Sequence, residues 1–385
     1  MTEDSGDIDG PKTPGPWQSL AARRITILGS GHALGALALT VLIGLIGALI
    51  AREIGAPLPW MSGALLATAA AAIGGARLGD QPLSFPQPLR FLLVPLVGVA
   101  IGGQVTGDLL QRLPYWWVTL AGLVVFLPTV HLMSFFVYRR GAGYDRVTAL
   151  YAAIPGGLIE SVVMGEKAGA HAPTLTLLQF SRLIMSILLV PLAVAAYEGQ
   201  MVGSAAGIDL GGADVDLTSY DILVLCGAAA LGYWGARRIG MPAAIITGPI
   251  VVSAAVHMAG ITAAQVPAGV IALTQLVVGT ALGVRFVGMG RGEALKGLGW
   301  AAVSVTLALL LALLLGLLLA PFVGESAEAI FLAFAPGGVT EMSLVALSLE
   351  ISVVFVTAHH VARILIAVSL VQPAHAWLRR NRGWP

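Results

Sequence analysis

The 385-residue sequence predicts an all-α polytopic membrane protein: about ten transmembrane helices plus two re-entrant or broken segments, arranged as two inverted-topology repeats. Three observations point there: an oily composition, an internal repeat, and the placement of positive charge. Hydrophobic residues make up 57% of the chain and charged residues 11%, against about 25% charge in a soluble domain. Apolar runs recur at lengths that cross a bilayer. The 48 glycines suit close helix packing in lipid.

The repeat is read directly from the residues. Pro155-Gly156-Gly157, Glu160 and Arg182 return as Pro336-Gly337-Gly338, Glu341 and Arg363, all at one offset of 181. The same offset maps Val97–Gly102 onto Val278–Gly283. Earlier in each half the offset is 185, taking Arg52, Gly55, Pro57 and Gly63 to Arg237, Gly240, Pro242 and Gly248. Each half offers six apolar segments, at roughly 31–51, 57–76, 89–106, 115–138, 147–168 and 173–197, then 219–236, 242–260, 266–287, 298–322, 327–349 and 351–373. The third segments place small residues one turn apart, predicting tight packing or sliding. The fifth segments carry Pro-Gly-Gly, which removes a backbone donor and weakens a helix.

Charge decides how the fifth segments are counted. With the N-terminus cytoplasmic and the fifth segments re-entrant, the basic clusters at 139–146, 237–238, 291–296 and 379–382 all fall inside. Arg77, Arg90, Lys167 and Arg285 join them, and only Arg52 and Arg112 fall outside. That is the positive-inside pattern. Five crossings per half invert the second repeat. Twelve crossings in parallel repeats are the alternative, but they strand two basic clusters outside. The organisation is then a disordered cytoplasmic tail at 1–24, a first membrane repeat at 25–198, an acidic external linker at 199–218, a second repeat at 219–376 and a basic cytoplasmic tail at 377–385. The tail at 1–24 lacks the basic start and apolar core of a signal peptide.

Inverted repeats with interrupted helices are the build of secondary transporters. Irregular backbone survives in lipid only where protein or a water-filled cavity surrounds it. The candidate substrate or ion site is therefore Gly156, Gly157, Glu160, Gln179, Arg182, Gly337, Gly338, Glu341, His360 and Arg363. On the last crossing of each half, Thr176, Gln179 and Arg182 match Thr357, His360 and Arg363, and spacings of three and six keep each set on one stripe. An intramembrane arginine needs a carboxylate, a carbonyl or a substrate anion. Two readings stand: structural Glu–Arg pairs that staple each tip to its helix, or groups that bind a solute anion and carry a coupling ion. The exchange of Gln179 for His360 marks a place for a coupling proton, set against a hydrogen-bonding core histidine. Arg285, opposite Gln104, reads as an end-of-helix residue. Trp60, Trp116, Trp117, Trp234, Trp300 and Trp377 read as interfacial anchors.

Other classes find little support. Cys226 is the single cysteine, so no thiolate metal cluster forms and no metal or cofactor is expected. The net charge of +1 argues against direct nucleic-acid binding. No P-loop, H-E-x-x-H or catalytic triad spacing is present, so no enzyme is expected.

These motifs, with Ile54–Gly63 and its partner Ile239–Gly248, resemble the AbrB family of bacterial integral membrane proteins over about residues 30–375. That family is often labelled a regulator or an ammonia monooxygenase. The repeat architecture is also similar to that of known secondary transporters. The expected function is an inner-membrane transporter of a small anionic solute, coupled to protons or sodium, with both termini cytoplasmic. The alternatives are a membrane-embedded regulator of gene expression that binds a ligand or partner, and, least supported, a membrane oxidoreductase. The expected partners are the bilayer and a small solute, and glycine-rich helices also permit a homodimer.

Overall fold

The apolar segments form helices because only backbone bonded within a segment is stable in lipid. The computed structural model describes residues 24–27, 30–156, 158–198 and 217–382. The tail through residue 23, the linker at 199–216 and Gly157 lie outside the described residues, as does the side chain of Glu160. A short hairpin, β1 (Arg24–Ile27) and β2 (Ser30–Ala33), precedes the first helix. A second, β3 (Arg77–Leu78) and β4 (Gln81–Pro82), joins two helices. Neither hairpin was expected from a sequence read as all helical. The second lies between apolar runs, while β2 overlaps the start of the first run at 31–51.

The first half comprises α1 (Leu34–Glu53), α2 (Pro59–Ile73), α3 (Arg90–Gly102), the short α4 (Gly107–Arg112), α5 (Trp117–Phe136), α6 (Arg146–Ala152), α7 (Leu158–Lys167) and α8 (Ala172–Glu198). The second comprises α9 (Ser219–Arg238), α10 (Ala244–Met258), α11 (Ala268–Gly283), α12 (Arg291–Val323), α13 (Ala327–Phe334), α14 (Val339–Ser348) and α15 (Val353–Arg382). Among the described residues, five helical stretches are long and apolar enough to cross a membrane: Leu34–Glu53, Leu113–Gly141, Ala172–Tyr197, Ala268–Phe286 and Arg291–Val323. The chain is an all-α membrane protein apart from its two hairpins. α15 continues to Arg382, through residues read from sequence as a basic tail.

The sequence repeat returns in backbone geometry. Gly55 and Gly240 share φ of 68°, and the left-handed Leu58 and Ala243 have φ of 52° and 49°. The corner entering α2 is therefore rebuilt before α10. Packing then exchanges between halves: α3 lies on α10, and α11 lies on α2. A Cβ on Gly98 would stand 2.6 Å from the Ile246 carbonyl oxygen, and one on Gly279 would collide with the Met61 carbonyl. Met61 and Ile246 are repeat equivalents, so the two crossings correspond. This is the tight packing expected of the third segments, and it makes one core from both halves.

The fifth segments are broken at the expected places, between α6 and α7 and between α13 and α14. Not every aromatic is an anchor. Trp117 and Trp234 are exposed, whereas Trp116 is buried, edge-on to Phe355 with ring centroids 5.1 Å apart. It ends a helix but faces the protein.

Candidate functional site

A broken helix leaves backbone carbonyls at its C-terminal end without partners. In lipid these must be satisfied by side chains. At the first break, Gln179 of α8 donates Nε2–H to Tyr151 O at 2.8 Å. Arg182 donates Nη1–H to Ala152 O at 3.3 Å and to Ile154 O through a very short bond. Its Nη2–H reaches Gln179 Oε1 at 2.7 Å. The second break repeats the scheme. His360 of α15 donates Nε2–H to Leu332 O at 2.9 Å. Arg363 donates to Ala335 O at 2.6 Å and, through a very short bond, to Gly337 O. Leu332 and Ala335 are the offset-181 equivalents of Tyr151 and Ile154, so one carbonyl cage is built twice.

This changes the expected Glu–Arg staple. The arginines do staple the tips to their helices, but the described bonds of Arg182 and Arg363 to the tips go to carbonyls rather than to a carboxylate. His360 is likewise engaged. With Nε2–H given to Leu332, its Nδ1 has no hydrogen-bond partner. Its neighbour His359 bonds Phe355 O and Thr119 Oγ1, both at 2.8 Å, and its ring lies tilted against Phe355 with centroids 4.0 Å apart. The two histidines hold protein rather than facing one shared ligand.

Beside the tips lies a cavity of about 600 Å³. Its lining includes Gly156, Gln179, Arg182, Gly337, Gly338, Glu341 and Arg363. Seven of the ten expected residues therefore meet there. His360 is outside the lining, and Gly157 and the Glu160 side chain are outside the described residues. Each tip approaches the last helix of the other half: a Cβ on Gly156 would lie 3.6 Å from Arg363 Nε, and one on Gly338 would lie 3.5 Å from Leu183.

Two further arginines line the cavity, Arg90 at the start of α3 and Arg285 just after α11. Sequence reading assigned Arg285 only an end-of-helix role. It donates to Gln87 Oε1 at 3.0 Å and lies over the Phe180 ring at 5.0 Å. Gln87 is itself fixed by a 3.1 Å bond to Ala281 O. The one available signal was that Arg285 replaces a neutral Gln104 in the repeat. Among the described lining residues the cavity thus carries four guanidiniums and one carboxylate, Glu341. Such a surplus of fixed positive charge in a low-dielectric setting favours an anion.

A family profile described as "Transition state regulatory protein AbrB" matches residues 70–379. The chain belongs to the AbrB family. This AbrB-family membrane protein is similar to "Uncharacterized protein YhjN" of Bacillus subtilis (strain 168), with 25% identity over 363 residues covering 89% of this chain and 93% of that protein. It is also similar to "Putative regulator AbrB" of Escherichia coli (strain K12), with 21% identity over 296 residues covering 76% and 83%. The profile spans both broken segments and the cavity between them. No group of three or more His, Cys, Asp or Glu placed to hold a metal occurs among the described residues.

Proposed function

We propose that this AbrB-family protein is a secondary transporter that carries a small anionic solute across the inner membrane, coupled to protons or sodium. The observation that carries this reading is the cavity between two broken helices, with four arginines around one described carboxylate. In this reading each half crosses five times, and the paired short helices enter from opposite faces as re-entrant tips. The lengths support it: α6 and α13 have 7 and 8 residues, about 10–12 Å of helix, far short of a 30 Å hydrocarbon core. The corresponding cross-packing of α3 on α10 and α11 on α2 supports an inverted pair of repeats. Both termini face the cytoplasm, and the solute leaves chemically unchanged. Arg182 and Arg363 hold the tips and their positive field. Glu341, which lines the cavity, carries the coupling ion.

Reconstitution into proteoliposomes tests this. Uptake or efflux of a labelled anion should follow a proton or sodium gradient, and Glu341→Gln should abolish the coupling while the protein stays folded. Gradient-independent behaviour identical in wild type and Glu341→Gln would sink the coupling assignment. A second reading, a membrane-embedded regulator, rests on the printed names of the family and of the E. coli relative. It is favoured if the regulatory phenotype persists in a variant that binds but no longer moves the solute.

A further inference from the structure

The four arginines fall into two groups. Arg182 bonds Ile154 O at the first tip, and a Cβ on Gly156 of the same tip would lie 3.6 Å from Arg363 Nε. Arg285 bonds Gln87, three residues before Arg90 at the start of α3. Each group sets like charges together, which is costly unless a counter-charge arrives. Glu341 is the one described carboxylate in the lining. Each group also keeps unspent donor capacity. Arg363 is 1% exposed and both its terminal nitrogens serve carbonyls, yet its Nε–H has no acceptor. The Nε–H of Arg285 also has none. The lining also carries hydrocarbon, with Leu183, Leu282 and Ile364.

We propose that the cavity is a site for organic dianions, two carboxylates joined by a short carbon spacer, one held at Arg363 and the other at Arg285 with Arg90. This rests on the reading of the cavity as a solute site and adds the substrate class. The unspent Nε–H of each arginine gives a carboxylate oxygen a charge-assisted hydrogen bond, and the spacer covers the apolar wall. A volume of about 600 Å³ falls within the usual range for small-molecule sites.

Titration calorimetry on the purified full-length chain tests it, with butanoate, malonate, succinate, glutarate, adipate and inorganic phosphate as probes. One dicarboxylate should bind at least about tenfold tighter than butanoate, the gain of one charge-assisted contact. Arg285→Gln and, separately, Arg90→Gln should remove that advantage, bringing the dicarboxylate to the affinity of butanoate. Ligand-free unfolding temperatures check that both variants fold. Equal binding of butanoate and every dicarboxylate overturns the proposal and leaves the anion-transport reading standing. Phosphate binding tighter than any dicarboxylate does the same. An advantage that survives both variants overturns the placement of the second carboxylate. Absence of binding by every probe overturns the proposal and the anion site together.

Discussion

Replacing Arg363 with methionine separates the two accounts of what this residue does. In the structure its terminal nitrogens satisfy Ala335 O and Gly337 O at the second break. Methionine keeps bulk but leaves both carbonyls without donors. Each orphaned buried acceptor costs about 1–3 kcal/mol, so the pair costs about 2–6 kcal/mol. The variant also removes the cost of burying a guanidinium. A net loss of about 2–3 kcal/mol is therefore expected. Glu341→Gln should cost less than about 1 kcal/mol, because no described hydrogen bond joins Glu341 to Arg363. Unfolding of both variants and wild type in graded denaturing micelles, followed by tryptophan fluorescence, measures the difference. Two results would refute the carbonyl-cage argument: Glu341→Gln destabilising as much as Arg363→Met, or Arg363→Met lying within about 0.5 kcal/mol of wild type.

Three other outcomes follow from the same geometry. His360→Gln should be nearly neutral in stability, since Gln179 already fills the equivalent position. His360→Leu should cost about 1 kcal/mol by removing one of the two bonds to Leu332 O, which still accepts from Ala335 N–H at 3.2 Å, and both are read in the same assay. Gly98→Ala and Gly279→Ala should each cost about 1–3 kcal/mol through overpacking, whereas Gly107→Ala, with open space around it, should change stability by under about 0.5 kcal/mol. Glu325 sits in the loop between α12 and α13, where burial pushes its carboxyl above the usual range against the pull of Ser352, Arg112 and Trp116. Its protonated form suits the fold, so its stabilising contribution is present at low pH and lost as pH rises through the raised value. Glu325→Gln should therefore raise the unfolding temperature at neutral pH, with the gain vanishing below about pH 4, the ordinary carboxylate value; an equal gain at both pH values would contradict this.

Much of the fold was legible because the bilayer restricts the choices. Twelve apolar segments, two Pro-Gly-Gly breaks and two Val-Gly-rich helices can all be read from composition and offset. The third segments pack closely because Gly98 and Gly279 carry no side chain, a property visible in the letters. The hairpins at Arg24–Ala33 and Arg77–Pro82 were not legible, since strands of two to four residues are too short to show a periodicity. Trp116 was misassigned because a tryptophan at a helix end has the same sequence signature whether it faces lipid or Phe355.

The candidate site divides along the same line. The sequence by itself determined the duplication, the two breaks and the intramembrane residues Gln179, Arg182, Glu341, His360 and Arg363. These are exceptions to an oily chain, and exceptions stand out. Only the tertiary structure decided what the arginines touch. Their acceptors are backbone carbonyls, which every residue carries and no sequence distinguishes. Which carbonyl is orphaned depends on where α6 and α13 end against α8 and α15. Tertiary structure also brought Arg90 and Arg285 to the cavity, because the crossed packing of the halves sets the starts and ends of α3 and α11 beside helices far away in the chain.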